Sequence, residues 1–507
     1  MSQQRRNIPI IMATQHPDNA FPQFWSKEGT GFVSVHEELK ECVACFQDLE
    51  VDEFMWDWEG KYADEAVIDK LFSEHHKYFS DNQVGKDKYL TFRLPNIWQE
   101  KGYSLLRALM VILTSEDFAC DLKFHKPPLF EVILPMTERA DQLMYIHECF
   151  AKLAKFKNQN FNDKANLNTE FIEVIPLVEG TESQIAIGEL LSEYVDLHKK
   201  STGKYPPYVR PFLARSDPSL ISGLIATVLA NKIALCAIQE FSTKYSIPTY
   251  PIIGAGGLVF RGGLNPNNVD AFIAEYQGVH TVTVQSAFRY DYPKSTVKKA
   301  LAKLRTGLVN SKAVSIPKDE REILLSIISR ATDYYQKTIP KLTTDLDKIF
   351  QAVPKHRERR QHIGLLSYGR KMGKSSLPRA ISFTAGLYSL GIPPEFIGLG
   401  RTLQALTFEE MEILRRYYIN LKKDIETAGR FINRSNLANL ARKNKAWKMI
   451  EQDIKLTEEV LKIKVGPQSK KELIHENLTS NLLLQIENKL VVSRLIVETG
   501  KIRQSLG

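Results

Sequence analysis

The amino-acid sequence predicts an α/β protein: a closed (β/α)8 barrel with a mainly α-helical C-terminal extension. Three observations carry this. Eight short β-rich runs lie within the first 295 of 507 residues, helical patterns fill most of the gaps between them, and the β signal fades beyond residue 295. The runs are Pro9–Ala13, Glu53–Asp57, Tyr89–Arg93, Phe130–Pro135, Phe171–Leu177, Tyr208–Leu213, Thr249–Gly254 and Val279–Gln285. Helical periodicity between them is clearest over Ala63–Phe79, Arg139–Phe156, Glu182–His198 and Ser219–Tyr245. Near-continuous apolar strands alternating with helices indicate a parallel sheet covered by helices. Eight such units in succession favour a TIM-type barrel over an open doubly wound sheet. The expected organisation is a barrel core over 1–295 and a helical region over 296–507. Helices are expected there at Ser295–Arg305, Asp319–Lys337, Phe408–Ala428, Arg442–Lys462 and Leu482–Glu498, with a Gly/Ser/Arg-rich stretch at 357–379.

Charge narrows the function. The chain has 68 Lys+Arg against 59 Asp+Glu, a net charge of +9. Residues 1–295 hold 29 basic and 38 acidic side chains (net −9), and the rest hold 39 and 21 (net +18). The excess is an asymmetry between halves, and no zinc-finger, RNP-type or zipper signature accompanies it, so no nucleic-acid partner is expected. The N-terminal apolar stretch is too short for a secretory signal. The most apolar window, Ser219–Ile238, contains Asn231 and Lys232 and reads as a buried helix rather than a membrane span. Five cysteines exclude a secreted disulfide framework, and Cys42 and Cys45 read as helix-face cysteines. The expected location is cytoplasmic.

Chemistry in such a barrel gathers at the C-terminal ends of its strands. Glu179 and Asp217 follow adjacent strands, and a carboxylate pair with waters suits Mg²⁺. Arg261 sits between Gly256-Gly257 and Gly262-Gly263, where backbone and guanidinium can both approach phosphate or carboxylate. Arg93, Arg370 and Arg379 are further anion-binding candidates, and His16 is a candidate general base. Two look-alikes fail. Gly369–Ser375 has three residues between its glycines where a P-loop has four, and the run from Gly254 lacks the third glycine of a dinucleotide fingerprint.

The runs TQHPDN, DWEGK, FRLPN, PLVEG, ARSDPS, FRGG, TVQSAFRYD and SYGRKMGKSSLPRAISF, collinear between about residues 8 and 402, together resemble the archaeal-type (short) phosphoenolpyruvate carboxylases. The resemblance implies formation of oxaloacetate and phosphate from phosphoenolpyruvate and bicarbonate, with Mg²⁺ (or Mn²⁺) required and a homotetrameric assembly. It implies His16 as the catalytic histidine, Glu179 and Asp217 as metal ligands, and Arg261, Arg370 and Arg379 as catalytic and substrate-binding arginines. Residues 366–380 become a substrate-binding loop, and Arg93 is a looser match. The sequence departs from the longer carboxylases where it has Leu258-Val259-Phe260 before Arg261, Leu264-Asn265-Pro266 after the glycines, SDPSLISG where they carry a lysine, and Ser389 where they carry an arginine. Lys61, Arg289 and Arg401 are the candidate replacements at the bicarbonate and effector positions.

Overall fold

The computed structural model describes residues 7–15, 33–59, 63–100, 102–124, 126–161, 170–309, 311–354, 370–372 and 375–507. Eight parallel strands close into a barrel in sequence order: β1 (Ile11–Thr14), β2 (Glu53–Asp57), β3 (Tyr89–Arg93), β4 (Glu131–Leu134), β5 (Glu173–Val178), β6 (Phe212–Ala214), β7 (Ile252–Gly254) and β8 (Thr281–Val284). Each overlaps its expected run. The strands are apolar on both faces because both are covered. Met12, Met55, Ile133, Ile175, Leu177, Phe212, Ala214 and Ile252 form a separate inner cluster, while residues such as Phe54, Trp56 and Val282 pack outward with the helices.

The floor of the barrel is polar. Glu53, Glu131 and Thr281 begin β2, β4 and β8, and Arg210 lies two residues before β6. Contact among alternate strands means these side chains meet across the interior, as one layer of a filled barrel. Arg210 donates to Glu53 at 3.1 and 2.7 Å, to Glu131 at 2.6 Å and to Thr281 at 3.5 Å. Tyr208 donates to the second Glu131 oxygen at 2.6 Å. Burial alone would lower the Arg210 pKa, but Glu53 and Glu131 outweigh it and hold the guanidinium charged.

The helical half packs onto this barrel largely along one long helix, Leu224–Tyr245. Its apolar residues divide between two cores: Ala234, Leu235, Ile238 and Phe241 join the barrel shell, and Leu224, Val228, Leu229 and Ile233 join the C-terminal helices. A helix apolar all round is a fully buried one, and 89% of its most apolar window lies inside the protein. The expected boundary at 295/296 falls at the start of the Lys294–Leu308 helix, whose Val297, Leu301 and Leu304 pack in the barrel shell.

Several expected helices are divided. Ser219–Tyr245 is interrupted at Gly223, Phe408–Ala428 becomes Phe408–Tyr417 and Leu421–Gly429, and Arg442–Lys462 spans the junction of Arg434–Lys443 and Lys445–Leu461. Leu482–Glu498 covers the end of Lys470–Glu487 and the start of Ser493–Arg503. In the Gly/Ser/Arg-rich stretch, β9 (Arg370–Met372) and β10 (Ser375–Leu377) form a two-stranded antiparallel ladder pairing Arg370 with Leu377. Cys42 and Cys45 lie buried on the Glu38–Asp48 helix as free thiols, their pKa values pushed up by burial.

Candidate active site

Arg93 ends β3 beside Asp57, which ends β2, because the register pairs these two residues. Its Nε and Nη2 donate to the two Asp57 oxygens at 2.9 and 2.7 Å, a bidentate pair. Its Nη1 lies 2.9 Å from Glu59 Oε2. Burial works to lower the Arg93 pKa, but Asp57 and Glu59, with Glu179 also contributing, raise it well above the usual value. Arg379 approaches from the helical half, where it directly precedes the Ala380–Ser389 helix, and its Nη2 lies 4.0 Å from Glu59 Oε1. Glu59 therefore stands between an arginine of the barrel and one of the extension.

The candidate metal ligands are set by a crosslink between their strands. Glu179 directly follows β5 and is buried; Asp217 lies in the first turn of the Ser216–Ser222 helix after β6 and is half-buried. Gln184 Nε2 donates to the Ala214 carbonyl at 2.7 Å and the Val178 carbonyl at 3.2 Å, tying the two strand ends together. Asn231 of the shared long helix donates to Gln184 Oε1 at 2.8 Å and fixes that amide's orientation. Two hard oxygen donors on neighbouring strand ends fit a small divalent cation that keeps most of its waters. Among the described residues no cluster of three or more His, Cys, Asp or Glu side chains is placed to bind a metal.

Arg261 closes the Val259–Arg261 turn after β7. Its Nε donates to Ser216 Oγ at 3.1 Å, its Nη2 to Gln285 Oε1 at 2.7 Å, and its Nη1 to the Gly507 backbone oxygen. The glycines around it answer to space. A Cβ on Gly256 would stand 2.9 Å from Arg261 Cζ, and Gly262, at φ +119°, would place one 2.8 Å from Ala255 Cβ. The flanking glycines thus let the loop fold tightly around the arginine.

The structure brings together Arg93 and Arg379 through Glu59, and joins Arg261 to the Asp217 segment through Ser216. Arg289 stands elsewhere. It is 1% exposed, with its guanidinium on Cys45 Sγ at 2.8 Å, the Thr14 carbonyl at 2.5 Å and Glu41 at 3.1 Å, behind β1. Arg401 is engaged bidentately by Asp453 at 2.9 and 2.7 Å. His16 and Lys61 lie outside the described residues, as does the Arg370 side chain, although the Arg370 backbone is in β9. The residue before His16 is held: Gln15 Oε1 accepts from the Asp57 amide at 2.8 Å. Sequence reasoning gave no role to Asp57, Glu59, Ser216 or Gln285. Their position at strand ends was the available signal.

The family model described as phosphoenolpyruvate carboxylase matches residues 8–507. Phosphoenolpyruvate carboxylase from Oenococcus oeni is 46% identical over 504 residues, covering 99% of both chains. That of Leuconostoc mesenteroides is 44% identical over 503 residues, again 99% of both. That of Metallosphaera sedula is 35% identical over 519 residues, 99% of this chain and 100% of the other. The chain belongs to the phosphoenolpyruvate carboxylase family. The family match includes the last hundred residues, which carried none of the recognised motifs. In this carboxylase those residues supply the Gly507 oxygen that meets Arg261.

Proposed function

We infer that this chain joins phosphoenolpyruvate and bicarbonate to form oxaloacetate and phosphate, acting as a carbon–carbon lyase. The whole-length family match carries this reading. A bicarbonate oxygen attacks phosphorus, the bond from phosphorus to the enol oxygen breaks, and its electron pair leaves on the pyruvate enolate. Carboxyphosphate then loses its proton to His16 and splits into CO₂ and phosphate. The enolate carbon attacks CO₂, forming the new carbon–carbon bond, and the proton is returned to phosphate. Phosphoryl transfer of this kind depends on positioning and charge stabilisation. Arg261, Arg370 and Arg379 are proposed to meet the phosphate and carboxylate of phosphoenolpyruvate, with Arg93 supporting them. Lys61 is retained as a bicarbonate candidate. Arg289 is assigned to holding the Thr14 carbonyl, two residues before His16.

Glu179 and Asp217 would hold Mg²⁺ or Mn²⁺, which when bound adds positive charge beside the phosphoryl and enolate oxygens. The carboxylates themselves keep the site selective for hard cations. Coupling to malate dehydrogenase tests the activity. NADH oxidation should require both phosphoenolpyruvate and bicarbonate, need no nucleotide, and stop with EDTA. NADH oxidation independent of bicarbonate would overturn the reading. Near-normal turnover by His16→Asn would remove the base assignment. A cytoplasmic homotetramer is the proposed working form, and light scattering at four times the subunit mass would support the assembly.

A further inference from the structure

The turn that carries Arg261 is gripped from two sides. Arg215, which precedes the Ser216–Ser222 helix, donates to the Phe260 carbonyl at 3.3 Å and the Val259 carbonyl at 3.5 Å. Its Nε donates to Tyr276 Oη at 2.8 Å. From the opposite side comes Glu395, in the Pro394–Phe396 turn of the helical half. One oxygen of Glu395 accepts two hydrogen bonds, from the Phe260 amide at 2.8 Å and from Tyr388 Oη at 2.7 Å. The other oxygen is buried without a hydrogen-bond partner among the described residues. Glu395 also lines a small cavity with Ser222, Gly223 and Thr402, with room for about one water.

A carboxyl in this position is costly. Glu395 is 1% exposed and forms no ion pair among the described residues, and burial pushes its pKa up to about 7. Asp424, from the Leu421–Gly429 helix, raises it further, while the Tyr388 hydroxyl and the Phe260 amide lower it. Arg503 stands over the Tyr388 ring, 5.5 Å from its centroid. Methionine would fill the same volume without the desolvation cost, so packing does not explain an acid here. Its acceptor oxygen does, since it is what the Phe260 amide meets.

We propose that Glu395 is a positioning residue for Arg261: by holding the Phe260 amide it sets the direction in which the arginine leaves its turn toward Ser216 and Gln285. This rests on the reading of Arg261 as a phosphate ligand. Glutamine retains an oxygen able to accept both donors; methionine retains only the volume.

Steady-state kinetics of the full-length enzyme test it, using E395M, E395Q, R261M and E395M/R261M, with thermal unfolding recorded for each. E395M should raise half-saturating phosphoenolpyruvate about 10-fold or more. The value for bicarbonate should hold, and the unfolding midpoint reports separately the cost of leaving the Phe260 amide and the Tyr388 hydroxyl without their acceptor. E395Q should stay within about 2-fold of wild type, because its amide oxygen preserves the contact. R261M should show the larger defect, and adding E395M to it should change little, since residues acting through one another are not additive. Wild-type half-saturation in E395M, or full additivity in the double variant, would overturn the proposal while leaving the Arg261 reading intact. An R261M enzyme with unaltered half-saturation would remove the Arg261 reading, and the proposed role of Glu395 with it. Should E395M fail to fold, Y388F removes one donor and keeps the ring: a rise of about 3-fold supports the proposal and no change counts against it.

Discussion

Two buried arginine–carboxylate clusters occupy opposite ends of the same barrel. At the floor, Arg210 is held by Glu53 and Glu131, with relative side-chain exposures of 0%, 0% and 2%. At the mouth, Arg93 meets Asp57 and Glu59, but Arg93 keeps 12% exposure and Glu59 is shared with Arg379. The chemistry is the same and the completeness differs. Three other strands converge on Arg210 and shut its guanidinium away from solvent. The mouth draws its second arginine from the helical half, where β9 and β10 also stand. A closed cluster specifies the barrel; an open one can exchange partners with a substrate anion.

Breaking the floor should have the largest effect. Removing Arg210 leaves two carboxylates buried without their cation, a loss of about 3–5 kcal/mol. R210M should therefore shift the urea midpoint strongly while any folded fraction keeps normal half-saturation by phosphoenolpyruvate. R93M should do the reverse in emphasis, lowering kcat/KM by about 10²–10³ with a smaller shift of the midpoint. Equal stability losses in the two variants would erase the distinction between floor and mouth.

The comparison extends to pH. In the helical half, burial raises Glu395 and Asp424 to about 7. Each binds its proton more tightly folded than unfolded, so its cost is full above about 7, shrinks as pH falls through 7, and is gone below the unfolded value. At pH 8 this amounts to about 3 kcal/mol for Glu395 and about 4 kcal/mol for Asp424. E395Q and D424N should each recover most of that at pH 8 and little at pH 5, measured by unfolding midpoints. In the barrel shell the sign reverses: burial, with His198 nearby, lowers His147 to about 3. Stability held there is lost as pH falls from about 6.5 toward 3. The smallest effect belongs to the exposed pair Lys303–Asp270, where K303A should change stability by less than about 0.5 kcal/mol.

The strands were legible because each is a short apolar run between turn-forming residues, so all eight expected runs overlap the observed strands. Helix breaks were less legible. The end of Lys470–Glu487 places Lys489 at φ +58°, and no glycine or proline marks that left-handed turn, so the apolar pattern runs across it. The carboxylates at strand ends could be seen as candidates, but their partners could not. Glu59 meets Arg379, and Glu395 meets Phe260, through contacts between residues 320 and 135 positions apart. No local pattern encodes such pairs. Only closure of the barrel and docking of the helical half bring them together.

The Leu224–Tyr245 helix gives that docking a further meaning. One helix serves as the wall of two cores, so neither half can open without exposing apolar surface belonging to the other. Unfolding should therefore spread through both as a single cooperative unit, with amides in this helix among the last to exchange. A fragment cut at 295 would present Leu224, Val228, Leu229 and Ile233 to water, and aggregation would be its natural fate. The asymmetry in charge between the halves thus conceals a shared apolar wall, and the barrel and its extension should not separate intact in solution.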